Sequence, residues 1–169
     1  VYLSNYGAGS VLEYSELIVV AALVSYGGKI GGWVSHIYVD NPDSVAGGRE
    51  IWGLPKEMAE FTWTDRSVTV KQGDRLLCQL KYNWQSFGLP IPLGASSFSS
   101  LGSNLLLFPA QLNARLSLVS SQLEIPLESP FGGLNIGQPW LTVYADQMQL
   151  TAGVPSVVGQ RALEFNVVQ

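Results

Sequence analysis

Apolar and polar residues alternate with a period of two along much of this chain, and this alternation limits the possible folds more than any other property. Val68 and Val70 precede the short glycine-containing segment 72–74, and Leu76 and Leu80 follow it. Successive side chains of a strand point to opposite faces, so the pattern is typical of half-buried strands joined by a tight turn. The sequence therefore predicts a mainly β fold whose sheet is mostly antiparallel.

The same alternation, interrupted by the 18 glycines and 9 prolines of the chain, gives approximate strand positions. The serine- and glycine-rich segment 94–103 is typical of a loop between strands. We predict strands at about residues 11–26, 33–39, 60–71, 75–83, 104–107, 115–125, 140–150 and 162–168.

One segment departs from the alternation and predicts a short helix. Residues 41–43, Asn-Pro-Asp, supply a cap residue, a proline suited to the first turn and an acidic residue at the positive helix end. Gly53 would end the helix, which places it near residues 43–52. A glycine inside a helix costs roughly 1 kcal/mol relative to alanine. We therefore expect the pair Gly47-Gly48 to lie at a close packing contact.

Composition excludes several classes of protein. The 169 residues are 47% hydrophobic and 13% charged, which favours a single folded domain, residues 1–169, and argues against disorder. A net charge of -4 without a basic cluster argues against a nucleic-acid partner. One Cys and one His are too few for a zinc site or a disulfide framework, so we expect no metal.

The expected cellular location rests on the length of the apolar runs, the N-terminal sequence and the cysteine count. The longest apolar run, 17–24, is far shorter than the roughly 18 residues that a membrane-spanning helix needs, so we expect no membrane span. No signal peptide is visible, and the single Cys fits a reducing compartment, so we expect a cytoplasmic protein. Since the first residue is Val1 rather than Met, we also expect that an N-terminal segment is missing.

Glu16 is an unusual residue in the first long strand. The even-numbered side chains around it, such as Tyr14, Ile18 and Val20, would form an otherwise apolar face. An isolated buried carboxylate is costly, so such a group is paired, hydrogen-bonded or protonated. Two interpretations are open: Glu16 lies at a strand end or meets a structural arginine, or it is an acid inside a pocket.

A set of motifs resembles the signature of the acetoacetate decarboxylase family. These motifs are Tyr38-Val39-Asp40-Asn41, Gly48-Arg49-Glu50 and Pro55-Lys56, with Tyr14-Ser15-Glu16 upstream. The resemblance is clear over roughly residues 11–64 and implies a β-barrel-centred fold with an internal cavity. It implies no cofactor, and a lysine that forms a Schiff base with a small keto acid. We also expect a homo-oligomer.

The resemblance assigns roles to particular positions. Lys56 matches the Schiff-base lysine and Glu16 a pocket carboxylate, while Arg49 and Glu50 match the helix before the lysine and Tyr14 belongs to the upstream motif. Only a neutral amine attacks a ketone, and the resulting protonated imine accepts the electrons released when CO2 leaves. An ordinary lysine, with a pKa of about 10.4, is mostly charged near neutral pH. Burial or a nearby cation must therefore favour the neutral amine.

Residue 57 departs from the family pattern, because Glu57 stands where the decarboxylases have a second lysine. Consecutive residues of an extended chain point to opposite faces, so we expect Glu57 to point away from the cavity. Desolvation of Lys56, with few charged neighbours, would then favour the neutral amine.

Other candidates and other functions remain open. We expect His36 to be a hydrogen-bonded structural residue and Cys78 a core thiol. The leading hypothesis is a lyase that decarboxylates a keto acid through Lys56. A Schiff-base aldolase or dehydratase is a second hypothesis, and a non-catalytic barrel that binds an apolar or carbonyl ligand is a third.

Overall fold

The computed structural model describes residues 1–83 and 87–161. Within these ranges the chain forms strands, one α-helix and one short 3-10 turn, Gly132–Leu134. The elements, in chain order, are β1 (Tyr2–Tyr6), β2 (Tyr14–Tyr26), β3 (Lys29–Val39), α1 (Pro42–Trp52), β4 (Lys56–Met58), β5 (Glu60–Thr64), β6 (Ser67–Gln72), β7 (Arg75–Tyr82), β8 (Leu89–Leu101), β9 (Asn104–Leu118), β10 (Ser121–Glu124), β11 (Val143–Ala152) and β12 (Ser156–Gln160).

The strands form two sheets. The larger sheet has the order β1-β2-β3-β8-β9-β11, with β4 paired to β3 and β12 paired to β9. The smaller sheet has the order β10-β7-β6-β5 and is antiparallel throughout. In the larger sheet β3 pairs in parallel with β4 and with β8, and the remaining pairs are antiparallel. The predicted mainly β class, with a mostly antiparallel sheet and one short helix, is confirmed.

The larger sheet is open rather than closed into the expected barrel. Its end strands, β1 and β11, form no backbone ladder with each other among the described residues. A side-chain contact joins them, since the Tyr2 hydroxyl lies 3.0 Å from the Met148 sulfur. A bulge between Asp146 and Gln149 interrupts the edge of β11 near this contact, and Gln147 has a φ of 51°. This irregularity lies at the edge of the sheet that faces β1.

Helix α1 forms close to its predicted position. The Asn41 side chain accepts hydrogen bonds from the backbone N–H groups of Asp43 and Ser44, and Pro42 occupies the first turn. At the other end Gly53 has a φ of 60°, and its N–H bonds to the Gly48 carbonyl. The helix ends at this glycine, and the chain then continues in a short extended segment that leads into β4.

Several strand predictions were wrong. The segment 94–103, expected as a loop, lies mostly in β8, which pairs with β9 along its whole length. The expected strands at 104–107 and 115–125 are one long strand, β9, followed by β10. Pro109 lies where β9 changes partner from β12 to β11, so this proline is tolerated inside a strand. The segment 60–71 is a hairpin of two strands, and the strand expected at 162–168 lies outside the described residues.

The two faces of the β2–β3 region have different neighbours. One face carries Leu17 and Val19 and packs on residues of the smaller sheet, including Val68 and Cys78, to form the main core. The opposite face carries a smaller apolar cluster of buried residues, Val34, Ile37 and Val39, against which partly buried residues of α1 and its flanks pack. The lysine singled out by the sequence lies on this second face, under the helix.

Candidate functional site

Lys56 and Glu16 form a buried ion pair. The Lys56 Nζ atom lies 2.8 Å from the Glu16 Oε1 atom, and the two side chains are only 8% and 5% exposed. Burial strengthens the attraction between the two charges, but it also removes water from both. A buried pair of this kind is therefore sensitive to the other groups that each partner contacts.

The strand register explains why these two side chains meet. Glu16 is opposite Val39 in the β2–β3 ladder, and Lys56 is opposite Ile37 in the β3–β4 ladder. Residues directly opposite each other, and residues two apart on one strand, share a face of the sheet. Both side chains consequently project from the same face, the one that helix α1 covers.

Two further groups contact the lysine amine. Lys56 Nζ donates a hydrogen bond of 2.9 Å to the Ser44 hydroxyl, which the first turn of α1 supplies. The amine also lies 5.2 Å from the centroid of the Tyr14 ring, within the range of a cation–π interaction. Burial, with a smaller effect of the Glu16 charge, raises the pKa of Tyr14 to about 12, so its phenol is neutral at ordinary pH. In this arrangement the lysine amine has a carboxylate, a hydroxyl and a ring face as neighbours.

The second carboxylate oxygen of Glu16 has a different partner. The Tyr6 hydroxyl lies 3.2 Å from Glu16 Oε2, and the Tyr2 hydroxyl lies 3.2 Å from that of Tyr6. Burial raises the pKa of Tyr6, and the nearby Glu16 charge raises it further. Burial also raises the pKa of Tyr2. Both phenols therefore keep their protons and act as hydrogen-bond donors near the carboxylate.

Helix α1 positions Lys56 by a close approach at Gly48 and by a hydrogen bond to the lysine backbone. A Cβ atom on Gly48 would lie 2.5 Å from the Lys56 Cδ atom, so a glycine is needed where the lysine side chain passes the helix. Gly47, in contrast, has nothing within 4 Å of such an atom, so only one of the two expected glycine contacts exists. Arg49 donates a hydrogen bond of 2.7 Å from Nε to the Lys56 carbonyl oxygen. Glu50 is exposed on the helix, and no contact joins it to Lys56 in the part of the chain described.

Glu57 points away from the amine, as its place in an extended strand predicts. It is opposite Tyr38 in the β3–β4 ladder, it is exposed, and its carboxylate accepts a 2.9 Å hydrogen bond from Gln72. The side chain of Lys56 forms one ion pair with a described residue, Glu16. Glu16 is a direct charged partner, and its carboxylate favours the ammonium form that burial opposes.

Sequence reasoning brought Lys56, Glu16 and Tyr14 together but missed three of their neighbours. Ser44 contacts the amine from a helix that was predicted, at a position with no motif of its own. Tyr2 and Tyr6 lie on β1, which was not predicted as a strand. The available signal was the alternation of Tyr2, Ser4 and Tyr6, whose polar hydroxyls do not resemble the apolar face of a usual strand.

The other candidates have structural roles or lie elsewhere. His36 is half-buried, with its Nδ1 atom 2.9 Å from the Ser35 hydroxyl, and Cys78 is fully buried in the main core. Three open clefts, of about 520, 740 and 390 Å³, have linings that do not include Lys56. Within residues 1–83 and 87–161, no three His, Cys, Asp or Glu side chains are grouped to hold a metal ion. No helix in these ranges is long and apolar enough to span a membrane.

Comparison with known proteins gives a family match over most of the chain. The family model described as acetoacetate decarboxylase matches residues 1–107. The acetoacetate decarboxylase of Burkholderia vietnamiensis is 39% identical over 56 residues, which are 33% of this chain and 21% of that protein. Acetoacetate decarboxylase 3 of Mesorhizobium japonicum is 42% identical over 53 residues, 31% of this chain and 19% of that protein. Each matched segment thus spans about a fifth of the curated relative.

Solved structures share the fold. A crystal structure of acetoacetate decarboxylase from Legionella pneumophila superposes with a TM-score of 0.60 and 19% identity, covering 88% of this chain and 68% of the other. A second structure, from structural studies of acetoacetate decarboxylase, gives a TM-score of 0.58 and 15% identity, with coverages of 88% and 69%. At these identities the likeness establishes the fold.

Proposed function

This chain belongs to the acetoacetate decarboxylase family, and we propose that it decarboxylates a small keto acid through a Schiff base on Lys56, with Glu16 as the proton-handling partner. The observation that carries the proposal is the buried contact of 2.8 Å between the Lys56 amine and the Glu16 carboxylate. The lysine also lies at the end of the Gly48-Arg49-Glu50 and Pro55-Lys56 pattern.

The contact supplies a route to the neutral amine. Moving one proton from Lys56 to Glu16 converts the ion pair into a neutral amine and a neutral acid, and a water-poor site lowers the cost of losing both charges. The amine then adds to the ketone carbon, Glu16 gives its proton to the departing hydroxyl, and water leaves, which gives a protonated imine. The bond between the substrate carbon and its carboxylate breaks, CO2 departs, and the electron pair of that bond moves into the imine to form an enamine. Glu16 takes a proton from solvent and gives it to the enamine carbon, and water then hydrolyses the protonated imine to release the product ketone and restore the ion pair.

A trapping experiment tests the lysine. Acetoacetate or pyruvate is added with borohydride, which reduces an imine to a stable amine, and the intact mass is measured before peptide mapping. We expect one adduct, on the peptide that contains Lys56, and none in Lys56→Arg, because a guanidinium stays protonated. Lys71→Arg is the matched control, since Lys71 is an exposed lysine on β6. An adduct that persists in Lys56→Arg would refute the assignment.

One observation favours a second candidate, a protein that binds a carbonyl or apolar ligand without chemistry. The Lys56 ammonium is already partnered by Glu16, Ser44 and the Tyr14 ring, an arrangement that stabilises the charged amine. The same trapping experiment separates the candidates, because a binding protein would give ligand-dependent stabilisation but no reduced adduct at Lys56. Release of CO2 from acetoacetate separates decarboxylation from an aldol or dehydration outcome.

We also propose a homo-oligomer. Leu89, Ile91 and Leu93 alternate along β8, and all three side chains are exposed, which leaves a row of apolar groups in water. Exposed apolar patches commonly mark association surfaces. Light scattering after gel filtration should show more than one copy per particle, and Leu93→Glu should reduce the mass whereas Val11→Glu, at an exposed turn, should not. A cytoplasmic location stays a prediction.

A further inference from the structure

The two oxygens of the Glu16 carboxylate have separate tasks. Oε1 contacts the Lys56 amine at 2.8 Å, and Oε2 accepts a hydrogen bond of 3.2 Å from the Tyr6 hydroxyl. In the β1–β2 ladder Ser4 is opposite Glu16, and Tyr6 is two residues further along the same face. The first strand thus places a donor beside the oxygen that the lysine leaves free.

Counting protons gives the direction of the hydrogen bonds. A tyrosine hydroxyl has one proton, and an ionised carboxylate only accepts. The Tyr6 proton points at Glu16, so Tyr6 has no proton left to donate in its 3.2 Å contact with Tyr2. The Tyr2 hydroxyl donates its own proton to the Met148 sulfur at 3.0 Å. Tyr6 is therefore the phenol that donates to Glu16, and Tyr2 contacts the Tyr6 hydroxyl from the other side.

We propose that Tyr6 is a positioning residue that holds the Glu16 carboxylate ionised and turned toward the Lys56 amine. The proposal rests on the proposed function, in which that amine is the nucleophile. A hydrogen bond to a carboxylate favours its ionised form. The ionised form in turn favours the ammonium, so Tyr6 acts on the lysine through Glu16.

The groups that face Glu16 leave Tyr6 as the donor to Oε2. The titratable neighbours are Tyr2 and Tyr6 on β1, Tyr14 on β2 and Lys56 on β4, and the raised pKa of each phenol keeps it neutral. Helix α1 contributes only the Ser44 hydroxyl, and β11 the Met148 sulfur, neither of which titrates. The buried Ser4 hydroxyl opposes part of the burial effect on the pKa of both β1 phenols, but no hydrogen bond joins it to a described residue.

The test follows the Glu16 carboxyl group directly, without relying on the reactivity of the lysine. The full chain is labelled with 13C at the glutamate Cδ atoms, and the signal that disappears in Glu16→Gln is assigned to Glu16. In Tyr6→Phe we expect the pH midpoint of the Glu16 titration to rise by about 0.5 unit or more, because the carboxylate loses a donor. Tyr2→Phe is the matched control, since it keeps the Tyr6–Glu16 bond, and its shift should be less than half as large.

An unchanged midpoint in folded Tyr6→Phe overturns the proposal, as does an equal shift in Tyr2→Phe. Should Tyr6→Phe fail to fold, the wild-type protein still decides: the Tyr6 Cζ resonance should change with the same midpoint as the Glu16 Cδ resonance, and its failure to do so refutes the coupling. Absence of a borohydride adduct in wild type would refute the proposed function alone, since the NMR midpoints do not depend on imine formation.

Discussion

Gly48 faces the aliphatic part of the Lys56 side chain so closely that a methyl group there would lie 2.5 Å from Cδ and 2.7 Å from Cε. Real Cβ atoms do not approach other carbons to this distance, so an alanine at residue 48 must displace the lysine or the helix. The family-like Gly-Arg-Glu motif therefore has a steric reason for its first residue.

We expect Gly48→Ala to lower the yield of the Lys56 adduct at least several-fold, because the displaced side chain no longer holds its amine between Glu16 and Ser44. The matched control is Gly47→Ala, at a neighbouring glycine with nothing within 4 Å. That variant should keep the adduct yield and gain roughly 0.5–1 kcal/mol of stability from helix propensity. Adduct mass and urea unfolding measure the two effects, and equal yields in both variants would contradict the steric argument.

Arg49 should contribute to stability through the backbone of the site lysine. Its Nε atom donates a 2.7 Å hydrogen bond to the Lys56 carbonyl, which ties the end of α1 to β4. Arg49→Lys keeps the charge but loses this planar donor, and we expect a cost of about 1 kcal/mol in the free energy of unfolding. Glu50→Gln, at the adjacent exposed position, should change it by less than about 0.5 kcal/mol. Urea titrations that give equal changes for both variants would argue against the tie.

Local patterns in the sequence were sufficient for the helix and for the central pair of residues. Asn41-Pro42 and Gly53 define the ends of α1 because capping and left-handed turns depend on the residues at those positions. Glu16 was noticed because a carboxylate on an apolar face needs a partner. The resemblance assigned Glu16 and Lys56 to one pocket, but their direct contact depends on the β2–β3 and β3–β4 registers together, which local patterns do not give.

The features that sequence reasoning missed depend on long-range pairing. The serine-rich part of β8 resembles a loop, yet its backbone groups pair with β9, and Ser99 donates a hydrogen bond to the Trp52 carbonyl. Strand β1 has a polar face because the Tyr6 hydroxyl contacts Glu16 and the Tyr2 hydroxyl contacts that of Tyr6. In both places tertiary contacts overrode local propensity.

The buried thiol predicts how stability changes at alkaline pH. Burial raises the pKa of Cys78 from 9.0 to about 12, so the folded protein keeps a proton that the unfolded chain loses above pH 9. This contribution to stability is full below pH 9 and is lost as the pH rises toward 12. Between pH 9 and 10 we expect it to remove about 1 kcal/mol from the free energy of unfolding.

Chemical denaturation of wild type and Cys78→Ala at pH 8, 9 and 10 measures this effect. The variant will be less stable throughout, but the gap between the two proteins should narrow as the pH rises, because only the wild type loses the thiol contribution. Native Cys78 should also resist iodoacetamide at pH 8 and react once urea unfolds the chain. A gap that is constant with pH would contradict the assigned direction.

The last prediction compares one substitution at two glutamates, one inside the site and one outside. Glu16→Gln removes the charge at 2.8 Å from Lys56, whereas Glu57→Gln removes an exposed charge that contacts Gln72. If Glu16 moves protons during turnover, its variant should lose roughly 10²-fold or more in rate. It should also be destabilised more at pH 6 than at pH 9, because a buried ammonium without its carboxylate is costly.

Glu57→Gln should keep the rate within about twofold and move the pH profile by less than about one unit, since water screens an exposed charge. Rates of CO2 release from acetoacetate across pH 5–9 decide the comparison. Trapping at pH 7 that appears only after Glu57→Gln would mean that the outer carboxylate, and not Glu16, governs the charge of Lys56.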